Sequence, residues 1–144
     1  MTNIIKWKLD VFVTDGPSIS LADQLSAEAY DKISATIPKE GKNTLVSIQP
    51  VDKGQVGLLI IRSMSTPEKD KPITYLLQET QPNDLNAVDM KDATILESPH
   101  VLVGASLVNV LDAAPKFAVF KNAGTKDVEV EILVARNAVK APSP

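Results

Sequence analysis

The chain has 144 residues, 44% hydrophobic and 23% charged, with a net charge of −3 and no cysteine. That length can bury about two-thirds of the unfolded surface around one core, and the composition is that of a globular domain rather than a disordered chain. An excess of acidic over basic residues makes nucleic acid a poor partner, the missing thiols remove disulfides and Cys-based chemistry, and no apolar run approaches the roughly 20 residues of a membrane-spanning helix.

The opening "IIKWKLDVFVTDG" alternates: Ile5, Trp7, Leu9, Val11 and Val13 share one face, while Lys6, Lys8 and Asp10 share the other. This reads as a strand. It lacks the unbroken apolar segment and small-residue cleavage site of a signal peptide, so the first residues are expected to belong to the fold. Asp15, Gly16 and Pro17 end it. In "SISLADQLSAEAY", Ser20 precedes Asp23 by three residues as in a capping box, and Leu21, Leu25 and Ala29 recur at helical spacing, so a short helix over 21–30 is predicted, with a loop as the alternative.

Period two then returns. "DKISATI" and "TLVSIQP", separated by "PKEGKN", read as the two arms of a hairpin. "GQVGLLIIRSMS" is a long apolar strand whose alternation fails at its centre, with Val56, Leu58 and Ile60 on one side and Leu59 and Ile61 on the other. "TPEKDKP" is a charged loop, "ITYLLQET" a strand, and "QPNDLNAVDMKD" a polar excursion. The last third holds short runs, "ATILE", "HVLVG", "SLVNVL", "KFAVFKN" and "DVEVEILVAR", although "GASLVNVLDAAP" also fits a helical turn. "KAPSP" is a tail.

Eight to ten short strands with Gly, Pro and Asn punctuation predict an all-β fold, an antiparallel β-sandwich of jelly-roll or Ig-like type with at most one or two short helices. The expected division is a single sandwich domain over 1–139 and a Pro/Ser tail over 140–144. If the first and last long strands are neighbours, Lys6 and Lys8 would pair with Glu129 and Glu131.

Signals for chemistry are weak. His100 is the only histidine, and Glu97 lies three residues before it, a conceivable acid-base pair for a hydrolase. Ser106 in "GASLV" lacks the second glycine of a nucleophile elbow. Asp84, Asn86, Asp89 and Asp92 offer oxygen donors to a hard cation such as Ca²⁺, but their spacing departs from the calcium-loop pattern. No cofactor is expected, and no enzymatic activity.

The informative feature is a surplus of apolar side chains. Leu59, Ile61 and Leu133, with Phe12, Leu76 or Leu77, stand on the sheet face that a two-layer sandwich turns to solvent. Either the 21–30 helix or a loop covers them, or another subunit does. The helix offers a narrow stripe, so subunit contact is favoured, through Leu59, Ile61 and Leu133 and through Lys140, Pro142 and Pro144 of the tail. The expected role is a non-enzymatic structural protein, a homo-oligomer or part of a larger protein assembly, most concretely a virion accessory, capsid-decoration or tail component, with no membrane or nucleic-acid partner. It would be made in the cytoplasm and is compatible with incorporation in a virion. The alternative is a small module binding carbohydrate or Ca²⁺ through end loops, for which an exposed Trp7 or Tyr75 beside the Asp84–Asp92 loop would speak.

Overall fold

The computed structural model describes residues 2–48, 55–66, 68–104 and 114–137. Within them run ten strands: β1 (Asn3–Phe12), β2 (Ser18–Ala27), β3 (Ala29–Ile37), β4 (Asn43–Ser47), β5 (Val56–Ser63), β6 (Ile73–Gln78), β7 (Thr94–Ile95), β8 (His100–Val103), β9 (Phe117–Asn122) and β10 (Val128–Arg136). Every pairing between them is antiparallel. β1 and β2 form a separate two-stranded ribbon; the others make two four-stranded sheets, ordered β3-β10-β5-β8 and β4-β9-β6-β7. The chain alternates between the sheets so that early strands neighbour late ones, which is the strand order of a jelly roll rather than of an Ig domain. The expected all-β sandwich is therefore present.

The core lies between the two sheets. Val128, Val130, Ile132 and Val134, alternate residues of β10, meet Ile37, Val56, Leu59, Ile61, Ile73, Tyr75 and Phe120, all buried. Strict alternation on β10 puts these valines and the isoleucine on one face because a strand's side-chain period is two. Asn122 is the buried polar residue of this region; its amide donates to the Ile37 and Lys126 carbonyls and accepts from the Gly124 N–H, so no polar atom is left unpaired.

The structure revises four expectations. Residues 21–30 are not helical: Ile19, Leu21, Leu25 and Ala27 keep period two and stand opposite Val11, Leu9, Ile5 and Asn3 of β1, and cross-strand partners outweigh the helical spacing of Leu21, Leu25 and Ala29. β3 and β4 are strands but not a hairpin, because they lie in different sheets. Glu40 and Gly41, at φ of 75° and 77°, turn the chain from one layer to the other, and their N–H groups bond to the carbonyls of Gly124 and Asn122. Lys6 and Lys8 do not meet Glu129 or Glu131 through a shared edge, since β10 is flanked by β3 and β5; Lys8 faces Asp10, and Glu131 binds Lys32 and Arg62.

The fourth concerns Leu59 and Ile61. They are 1% exposed, sealed in the core between the sheets, and so offer no surface to a partner. The cause is a β-bulge. Ala135 stands opposite Leu58 but Arg136 opposite Val56, leaving Gly57 as an extra residue. One inserted residue reverses the facing of everything beyond it, so Val56, Leu59 and Ile61 point inward together while Leu58 and Ile60 point out. The run 106–111, expected as a strand or, over 104–115, as a helical turn, falls within 105–113 and so, with the tail residues Lys140, Pro142 and Pro144, lies outside the described residues.

Candidate functional site

The β1-β2 ribbon is an amphipathic arm. Its ten-residue register places Ile5 opposite Leu25, Trp7 opposite Asp23, Leu9 opposite Leu21 and Val11 opposite Ile19 on one face, and Lys6, Lys8, Asp10, Ala22, Gln24 and Ser20 on the other. The Val13 carbonyl accepts from the Gly16 N–H, with Asp15 in the left-handed region at φ 56°, and the Val13 N–H donates to the Pro17 carbonyl, closing the tip.

The apolar face of the arm splits into two halves. At the base, Ile5, Leu25 and Ala27 pack on Leu58 and Ala135, with Ile60, Val103 and Leu133 around them. This base covers part of the outer face of the β3-β10-β5-β8 sheet, sealing Leu58 and Ala135 and leaving Leu133 half-buried at its edge. Towards the tip the same face is bare: Leu9, Val11, Val13, Ile19 and Leu21 are 51%, 44%, 55%, 58% and 48% exposed. Phe12, on the other face beside the turn, is more exposed still. A two-stranded ribbon in water is marginally stable by itself, and a contiguous run of half-exposed aliphatic side chains on one strand face is the kind of patch that often marks an interaction site.

Beyond the arm base, the outer face of that sheet carries an apolar strip and then charges. Leu133 stands between Lys32 and Ile60, and Ile60 opposite Val101. Tyr30 and Val101, at the two margins, are exposed. Next to the strip, the Glu131 carboxylate accepts from Arg62 at 2.8 and 3.0 Å and lies 3.2 Å from the Lys32 ammonium. Partial desolvation pushes this carboxyl upward, but the hydrogen bonds and charges of Arg62 and Lys32 outweigh it and hold it below the ordinary carboxylate range.

The residues considered for chemistry do not converge. His100 begins β8, and its Nδ1 shares a 2.6 Å hydrogen bond with the Tyr75 hydroxyl of β6, across the two sheets. Glu97 instead lines a separate cleft with Ser63, Met64, Ser65, Thr66 and Pro99. Ser106 lies outside the described residues. In the acidic loop, the Asp84 carboxylate accepts from the Asn86 N–H and caps a 3-10 turn over Leu85–Ala87, and Asp89 accepts from the Lys91 N–H. These are Asx-type turns. Among the described residues no cluster of three or more His, Asp or Glu is placed to hold a metal, and no helix is long and apolar enough to cross a membrane. Tyr75 is buried, and Trp7 lies half-buried on the arm in a shallow surface made of Lys6, Lys8, Ala22, Asp23 and Gln24.

Neither a family model, nor a curated protein, nor a solved structure matches this chain. The exposed arm is the feature that sequence reading missed. Its signal was there in the period-two run Ile19, Leu21, Leu25 and Ala27, overlaid by a helical spacing.

Proposed function

We propose that this chain is a non-enzymatic building block that assembles through its N-terminal arm, with copies of itself or on a larger protein particle. The most concrete setting is a virion accessory, capsid-decoration or tail component. The observation that carries this reading is the bare apolar face of the arm. Eight strands already complete the sandwich, so the ribbon is surplus to the core except at its base. Five aliphatic side chains each about half exposed stand to gain on the order of 4–8 kcal/mol on full burial, taking about 1.5–3 kcal/mol for a wholly exposed one. That is a large incentive for association. The jelly-roll strand order is shared by viral capsid and lectin domains, and it supports the setting by analogy only, since fold does not fix function.

Sedimentation velocity at micromolar concentration tests the reading. The intact chain is expected to sediment as an oligomer, and a Leu9→Ser, Ile19→Ser, Leu21→Ser variant as a monomer that is still folded by circular dichroism but has lost the concentration-dependent part of its melting temperature. A monomeric intact chain, or an oligomer indifferent to those substitutions, contradicts assembly through the arm.

A further inference from the structure

The assembly reading leaves the occupant of the arm's bare half unnamed. Resting on that reading, we infer that it is a second copy of this chain, with each arm laid across the outer face of the other copy's β3-β10-β5-β8 sheet.

Three observations support this pairing. The first is the intramolecular contact at the arm base. Ile5 and Leu25, a facing pair on the ribbon, already pack on Leu58 and Ala135 of that sheet, with Leu25 coming to 3.7 Å of the Cβ position of Gly57. The distal half of the ribbon repeats the same motif with Leu9–Leu21 and Val11–Ile19. What fits the sheet once has the composition to fit it again.

The second is that the sheet has room. The arm base seals Leu58 and Ala135 but leaves Leu133, Ile60 and Val103 half-buried and Tyr30 and Val101 exposed. This strip adjoins the base on the sheet side, and the bare half of the arm continues from the same base beyond the Trp7–Asp23 pair. Such an arrangement is self-complementary under two-fold symmetry: arm on strip and strip on arm, with the interface closed after two copies. Four patches of a few hundred Å² each total on the order of 1,200–2,000 Å², the size of a stable specific interface.

The third is charge. Asp23 is the one acidic group on the arm's apolar face, opposite Trp7. Lys32 and Arg62 flank the strip and share the single carboxylate of Glu131, with Glu129 a row further out. An arm crossing the partner's strip carries Asp23 towards these cations, which gives an otherwise costly charge a partner at the rim.

The lack of native cysteine makes site-directed cross-linking clean. Leu21→Cys and Val101→Cys chains, each about half exposed at the altered position, are mixed and treated with a short bis-maleimide, beside a control mixture of Lys8→Cys and Val101→Cys. Lys8 is on the opposite face of the arm. The Leu21 mixture is expected to yield cross-linked heterodimer roughly a hundredfold faster than the control, because docking raises the local thiol concentration from micromolar towards millimolar. Melting curves establish that each variant is folded. Equal rates in the two mixtures, or no heterodimer while the chain still sediments as an oligomer, overturn the arm-on-sheet pairing and leave assembly standing. A chain that neither cross-links nor sediments above monomer mass overturns both.

Discussion

The Tyr75 hydroxyl and Nδ1 of His100 lie 2.6 Å apart and join the two sheets, β6 from one and β8 from the other. Tyr75 also packs against Phe120 in the core, ring centroids 5.8 Å apart, so its ring is held and its hydroxyl is aimed. Replacing it by Phe is expected to cost about 1 kcal/mol, a fall of about 3–4 °C in melting temperature for a chain of this size. Burial pushes the Tyr75 phenol up. A raised folded value means that the stability it contributes is present below the unfolded phenol value of about 10 and is lost as pH rises through the folded value. Melting curves should therefore fall more steeply above about pH 10 in the parent than in Tyr75→Phe.

Glu131 gives the opposite slope. Arg62 and Lys32 hold its carboxyl below the ordinary value of 4.5. A depressed folded value contributes stability that is present above the unfolded value and lost as pH falls through the folded one. Glu131→Gln is expected to lower the melting temperature at neutral pH and to flatten its dependence on pH in the acid range. Salt should narrow the difference between the two proteins, because the pair sits at the surface.

Asn122 is the buried amide that ties the 123–127 turn to β3 through the Ile37 carbonyl. Asn122→Ala removes two donors and one acceptor from backbone groups of β3 and the turn, the Ile37 and Lys126 carbonyls and the Gly124 N–H. The cost of leaving a buried group unpaired is about 1–3 kcal/mol, so a loss in that range or above it is expected by chemical denaturation. An effect under half a kilocalorie would mean that water replaces the amide.

Leu59 and Leu9 should answer the same substitution differently. Leu59 is 1% exposed within the core, and Leu59→Ala is expected to cost about 2–5 kcal/mol through lost contacts and the cavity left behind. Leu9 is half exposed on the arm, and Leu9→Ala should change the stability of the isolated chain by no more than about 0.5 kcal/mol while weakening assembly. Equal effects on unfolding would place Leu9 in a core the structure does not show.

The fold class was legible because alternation is a local property: β1, β3, β6, β9 and β10 each carry enough period-two pattern to be recognised alone. Two things were not local. Whether residues 18–27 coil or extend depends on partners in β1, some six to two dozen positions away along the chain; both Leu21–Leu25 spacing and Ile19–Leu21 spacing are present, and only the pairing decides. The facing of β5 turns on one glycine. Gly57 inside an apolar run is a bulge signal, and reading it as such reverses Leu59 and Ile61 from surface to core. The surplus of apolar side chains was real, but its bare part lies on the arm and on the margin of the sheet rather than at those two leucine and isoleucine positions. No sequence pattern distinguishes a strand face covered by its own chain from one awaiting a partner.

Trp7 provides the most direct test of the central claim, that the arm's apolar face is covered by another protein surface when the chain works. It is the only tryptophan and sits between the packed base and the bare half of the arm. Its fluorescence is predicted to shift to the blue and to become less accessible to acrylamide as concentration rises through the association range, and to keep one unchanging, partly exposed signature at every concentration in the Leu9→Ser, Ile19→Ser, Leu21→Ser variant. Emission and quenching that are independent of concentration in the intact chain, while sedimentation shows it to associate, would contradict the claim by placing the contact somewhere other than the arm.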